Sequence, residues 1–187
     1  MKQHLHHGGC GCLPSISGPS ISGPSLSRRG VLGLGVAGAT LAAFPALAAG
    51  GKYEGMLMNC IDPRVATGSW SYMAGRGYKD LYSHFVIAGG PIGVVSPKFA
   101  EWQKTFWDNL EISVTLHDIK RVVGLTHRDC GAAAVAYGDA IKKDRNLETK
   151  NHLEALTAFR AAVNKHQPKL AVDTGIMALD GTVEIMG

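Results

Sequence analysis

Lys120-Arg121-Val122-Val123-Gly124-Leu125-Thr126-His127-Arg128-Asp129-Cys130-Gly131 is the stretch on which the fold turns. Residues 120–126 form a short apolar run, rich in β-branched side chains and nearly unbroken by polar ones. Such a run reads as a strand buried on both faces of a parallel sheet. The pattern then changes within one residue to His127-Arg128-Asp129-Cys130-Gly131. An imidazole and a thiol three residues apart follow the strand's C-terminal end, and both can hold one ion if the chain turns between them.

Two more runs of this kind lie upstream. Tyr53 to Cys60 is read as a first strand, and His84 to Ala88, stopped by Gly89-Gly90-Pro91, as a second. Between them and residue 120 the spacing predicts a helix. Ser96 is its N-cap and Pro97 its first residue; Phe99, Trp102, Phe106, Leu110 and Leu116 form the core-facing stripe, and Asp118 ends it. A second helix is predicted from Asn151 to His166. Asn151 and Glu154 form its capping box, Leu153, Leu156, Phe159 and Val163 share a face, and Pro168 stops it. Leu170-Ala171-Val172 opens a last strand, and Asp180-Gly181 reads as a hairpin turn before Thr182–Ile185. Strands alternating with helices imply an α/β domain with a mostly parallel sheet flanked by helices.

The first strand also ends in a chemical cluster, Cys60-Ile61-Asp62-Pro63-Arg64. In open parallel sheets ligands bind in the crevice beyond the strand ends, so the topology can bring 60–64 and 127–131 together. Two thiolates and one imidazole, Cys60, Cys130 and His127, suit zinc and leave one tetrahedral position open, the pattern of a catalytic site. Asp62 and Arg64, two apart, are expected to project to the same side as Cys60 in extended chain. A guanidinium there keeps the carboxylate ionised and oriented. The alternative for the cysteines is a structural Cys60–Cys130 disulfide, the default in an oxidising compartment. Five residues at short spacings at two strand ends favour the metal.

The first 48 residues are read as a leader, and 49–187 as the zinc domain. Pro14 to Ser27 is a Ser/Gly/Pro stretch too poor in apolar residues to pack. Ser27-Arg28-Arg29-Gly30-Val31-Leu32 then opens a weakly hydrophobic run that closes at Pro45-Ala46-Leu47-Ala48. This is a signal peptide of twin-arginine type, implying the twin-arginine export machinery and a periplasmic destination. The run of about 13 residues is short of the roughly 20 that span a bilayer, so no stable membrane span is expected. His4, His6, His7, Cys10 and Cys12 lie upstream of the signal and are read as a tolerated tail rather than a metal trap. The net charge of +4 belongs mostly to this region: Lys2, Arg28 and Arg29 precede Gly51, whereas all 15 acidic residues lie from Glu54 onward. A near-neutral body argues against nucleic acid as a partner.

Cys-x-Asp-x-Arg followed by His-x-x-Cys-Gly, with strand-helix-strand between, resembles the β-class carbonic anhydrases. The resemblance covers Tyr53 to Ala140, with a looser match near Val172–Ile185. It implies a zinc enzyme in which Cys60, His127 and Cys130 bind Zn2+ and Asp62 and Arg64 form a catalytic dyad. Carbon dioxide and bicarbonate are the substrates, reacting through zinc-bound hydroxide, and the protein is a homodimer or higher homo-oligomer. In some members the matching Asp takes the fourth zinc position, which Arg64 would oppose here. Val86-Ile87-Ala88-Gly89 stands where the family carries Arg-Asn-Ala-Gly, and the helical arm that wraps the partner subunit is expected to be missing. Related hydrolysis of carbonyl sulfide or carbon disulfide is the nearest alternative; a non-catalytic exported binding module is another. His84, His117, His152 and His166 are candidate proton shuttles, and nothing in the sequence selects one.

Overall fold

The structure is a computed structural model that describes residues 52–186. The leader, the twin-arginine motif and the His4/His6/His7/Cys10/Cys12 group lie outside the described residues. Five strands form one sheet in the order β2-β1-β3-β4-β5: β1 Gly55–Asn59, β2 Tyr82–Val86, β3 Arg121–His127, β4 Ala171–Met177 and β5 Val183–Met186. The first four are parallel, and β5 returns antiparallel on β4. This is the α/β architecture expected. The apolar runs of β1 and β3 are buried along nearly their whole length. β2 departs from expectation: it is an edge strand, only half covered, with Val86 43% exposed.

The helices are α1 Ala66–Gly75, α2 Pro91–Val95, α3 Ala100–His117, α4 Gly131–Tyr137 and α5 Arg145–His166. Phe106 and Leu110 of α3 pack with Phe159 and Val163 of α5 against Met56, Met58 and Val122. Met73 of α1 packs with Leu57, Val123 and Leu125 in the other core cluster. The α3 stripe needs correction at two positions: Phe99, Phe106 and Leu110 are buried, but Trp102 is 37% and Leu116 52% exposed. Trp102 stacks on Phe99, with centroids 4.4 Å apart, as a lid on the core's edge. Ser96 caps a 3-10 turn, Pro97–Phe99, that leads into α3.

α5 starts two turns earlier than predicted. Its N-cap is Asp144, whose carboxylate accepts from Asn146 N and Leu147 N. Asn151 is inside the helix and donates to Leu147 O at 2.9 Å, so there is no Asn151–Glu154 capping box. The first turns of α5 face the sheet with Glu148 and His152, polar residues that hide the helical period from an apolar pattern. The hairpin at Asp180-Gly181 forms as expected, with Gly181 at φ 90° and Ala178 N donating to Thr182 O at 2.8 Å.

Candidate metal centre

β1 and β3 are hydrogen-bonded neighbours, and β1 connects to β2 on its other side. The crevice at their carboxyl ends is therefore a topological switch point. Cys60 follows β1 there, His127 closes β3, and Cys130 stands at the start of α4. The two sulfurs and one ring nitrogen lie within 4.8 Å of one another, and all three residues are buried. Both cysteines are free thiols.

His127 Nδ1 lies 2.9 Å from Arg128 O. A carbonyl only accepts, so Nδ1 carries the proton and Nε2 presents its lone pair to the cluster. That Nε2 is buried and has no hydrogen-bond partner. A buried acceptor without a partner is costly, and here it faces two sulfurs. Burial works against charging His127, but the close approach and charge of Cys60 outweigh it and move its pKa upward. The Cys60 thiol is held below its ordinary value, chiefly by the hydrogen bond from Cys130, and that same proton sharing pushes Cys130 upward. Gly89 N adds a hydrogen bond to Cys60 Sγ at 3.1 Å. Two soft sulfurs crowded on one free imidazole nitrogen fit zinc.

Gly89 reaches Cys60 because the next residue can pass between two strands. Gly90 has φ 56°, and a Cβ there would sit 2.8 Å from Leu125 O and 3.1 Å from the Asn59 carbonyl carbon. Asn59 itself is buried. It donates to Ser69 Oγ at 2.8 Å, and its Oδ1 is 2.8 Å from His84 Nε2.

Asp62 and Arg64 face each other as expected, but not along extended chain. Asp62 caps a 3-10 turn, Pro63–Val65, and its Oδ1 accepts from Arg64 N at 2.9 Å. The turn folds the guanidinium back onto the carboxylate, Nε to Oδ1 at 3.0 Å and Nη2 to Oδ2 at 2.7 Å. Arg64 lowers the Asp62 pKa to about 2. Asp62 Oδ2 lies 4.0 Å from His127 Nε2, beside the cluster. Arg64 also reaches the second motif, donating to Asp129 Oδ2 at 2.8 Å and to Asp129 O at 3.1 Å. Asp129 holds a left-handed φ of 56°, a conformation that costs a non-glycine residue about 1–3 kcal/mol and persists only when neighbours enforce it. This bracing by Asp129 was not read from the sequence. Neither was the role of Glu148, whose Oε1 accepts from Asp129 N at 2.7 Å.

A pocket of about 300 Å³ opens beside the cluster, lined by Cys60, Ile61, Asp62, Pro63, Ala88, Gly131 and Ala132. Of the four histidines considered as shuttles, His84 bonds Asn59, the residue before Cys60. His117 bonds Ser83 and packs on Tyr53, before the opposite end of β1. His166 stacks on Trp107 near the end of α5. His152 is fully buried, with neither nitrogen partnered.

A fold with this switch-point site is that of the carbonic anhydrase class, and comparison with known proteins agrees. The family described as "putative carbonic anhydrase" matches residues 51–172, and the chain belongs to it. An uncharacterised protein of Rickettsia bellii (strain RML369-C) is 32% identical over 129 residues, spanning 69% of this chain and 79% of the relative. An uncharacterised protein of Rickettsia conorii is 33% identical over 129 residues, spanning 69% of each. Among solved structures, the carbonic anhydrase of Streptococcus mutans shares the fold at TM-score 0.51 and 18% identity, over 75% of this chain and 86% of that one.

Proposed function

We propose that this chain catalyses the reversible hydration of carbon dioxide to bicarbonate, with zinc held by Cys60, His127 and Cys130. One observation carries the reading: three buried donors converge within 4.8 Å, and the unpartnered His127 Nε2 stands 4.0 Å from the Asp62 carboxylate. Bound there, zinc supplies the Lewis acidity that makes water a nucleophile near neutral pH. Two thiolates donate more charge than imidazoles would, which moves the working pH above neutral.

Asp62, ionised and acceptor-only, takes a hydrogen bond from the attacking water and aims its lone pair at the substrate carbon. Arg64 fixes that carboxylate through its fork and would keep it from binding the metal itself. Ile61, Pro63, Ala88 and Ala132 give the pocket apolar walls. They suit an uncharged linear substrate and disfavour an anion, which helps bicarbonate leave. The apolar Val86-Ile87 pair, at the end of β2, favours a second reading in which carbonyl sulfide or carbon disulfide is hydrolysed by the same groups.

Stopped-flow hydration of carbon dioxide, sulfide release from carbonyl sulfide, zinc content and thiol titration on one preparation test both. One zinc per chain with rapid hydration is the expected result. Sulfide release without hydration would give the substrate to the second reading. A quantitative Cys60–Cys130 disulfide without metal would remove both and leave a binding module.

We also propose export to the periplasm by the twin-arginine route, supported by Ser27-Arg28-Arg29-Gly30-Val31-Leu32. Association as a homodimer or larger homo-oligomer is supported by Ile61, 61% exposed at the pocket, and Val86, 43% exposed at the β2 edge. Sedimentation at micromolar concentration checks it.

A further inference from the structure

Between His127 and Cys130 the chain turns at Asp129, and both backbone groups of Asp129 are held by charged side chains. Arg64 donates to its carbonyl. Glu148 accepts from its N–H at 2.7 Å. Glu148 comes from the first turn of α5, twenty residues from Arg128, and is only 6% exposed. Its other oxygen accepts from Arg128 Nη1 at 3.3 Å and Arg145 Nη1 at 3.3 Å. Arg128, 7% exposed, also donates to Thr149 Oγ1 at 2.8 Å and Glu184 Oε2 at 3.1 Å.

A buried ion pair is a poor source of stability. Taking two charges out of water costs about as much as their attraction returns, and an apolar pair of similar size does as well or better. A carboxylate can do what an apolar side chain cannot, which is fix the direction of one backbone N–H. Here that N–H belongs to the residue just before Cys130. We infer that Glu148 is a positioning residue of the metal centre: it holds the Asp129 peptide in its left-handed turn so that His127 Nε2 and Cys130 Sγ arrive at one point. This rests on the metal reading above and adds to it a residue that supplies no ligand atom. Hydrogen-bonded outer partners of this kind typically carry 10–100-fold in metal affinity.

The test uses the full chain, with zinc affinity measured by competition against a chromophoric chelator and the site read by Co(II) absorption. The double substitution Arg128→Met/Glu148→Leu removes the pair without stranding a charge. It is expected to leave the melting temperature of the metal-free protein within a few degrees of wild type. Zinc affinity should fall about 10–100-fold, and the Co(II) bands should shift as the ligand geometry loosens. Glu148→Gln, which keeps the shape and one acceptor oxygen, is expected to show a smaller loss in the same direction and serves if the double variant does not fold. Arg128→Met alone keeps the Glu148 acceptor on Asp129 N and should hold zinc affinity near wild type, while its melting temperature falls because the buried carboxylate loses a partner. Wild-type affinity and superimposable Co(II) spectra in the Glu148 variants would overturn the inference and leave the metal centre standing. A wild type that takes up neither ion would overturn both.

Discussion

The Arg64 guanidinium meets the Asp62 carboxylate side-on, with Nη2 2.7 Å from Oδ2 and Nε 3.0 Å from Oδ1. The pair is closed by a 3-10 turn of three residues, so the fork and its acceptor are set by the backbone. Arg64 uses its remaining Nη1 on Asp129, 65 residues away. One side chain thus locks the first motif to the second.

Asp62→Asn keeps nearly the same shape but loses the charge that the Arg64 fork holds. The variant should retain its zinc and lose hydration rate by about 10²–10⁴-fold, the range for a positioned proton acceptor. Metal analysis beside stopped-flow rates checks this. Unchanged turnover would take Asp62 out of the chemistry.

Gly90→Ala should damage fold and site together. The backbone at φ 56° costs an alanine about 1–3 kcal/mol, and the new Cβ has only strand backbone to meet, at 2.8 Å from Leu125 O. The loop carrying Gly89 N to Cys60 Sγ must then shift. Urea denaturation should show the loss of stability, and zinc content should fall with it. A variant with wild-type stability would contradict the close approach.

His152 gives the protein a pH dependence of predictable sign. Burial lowers its pKa to about 4; Glu148 opposes this, and Arg128, His127 and Arg145 add to it. The folded value lies below the unfolded one of about 6.5. The unfolded chain therefore binds the proton first as pH falls, and stability drops from pH 6.5 down through 4. The full loss is roughly 3 kcal/mol. His152→Leu removes this contribution, so the unfolding free energy of wild type should fall relative to that of the variant on acidification, by up to about 1.4 kcal/mol per pH unit. Parallel denaturation curves at pH 7, 6 and 5 measure it. A constant difference would mean His152 titrates alike in the folded and unfolded chain.

Replacement of both Arg28 and Arg29 by Lys should leave the protein in the cytoplasm. Cell fractionation reads this directly. Export of the Lys-Lys form at the wild-type level would refute the twin-arginine assignment.

The strands that build the centre could be read from the sequence because β1 and β3 are buried on both faces and so are almost purely apolar. The candidate ligand group of Cys60, His127 and Cys130 was legible for a related reason: a polar cluster at the end of such a strand has few structural uses. The edge position of β2 was not legible, since the run read as the strand, His84–Ala88, carries enough apolar residues to look central, whereas the strand itself is Tyr82–Val86. α1 and α4 escaped notice because their Gly, Ser and Ala content carries no helical stripe. Glu148 was invisible for a deeper reason. A glutamate in the first turn of a helix ordinarily faces water, and only the tertiary packing of α5 turns this one toward the backbone of Asp129.

The adjacency of β1 and β3 has a consequence for how the molecule comes apart. Everything from Ile61 to Thr126, including the β2 edge and all of α3, is strung between the two ends that carry the candidate ligands. An ion gripped at both ends is a clasp on that long loop, and closing a long loop removes more disorder from the unfolded chain than closing a hairpin does. A chelator would thus weaken the whole domain, by giving the unfolded chain back the freedom that the clasp withholds.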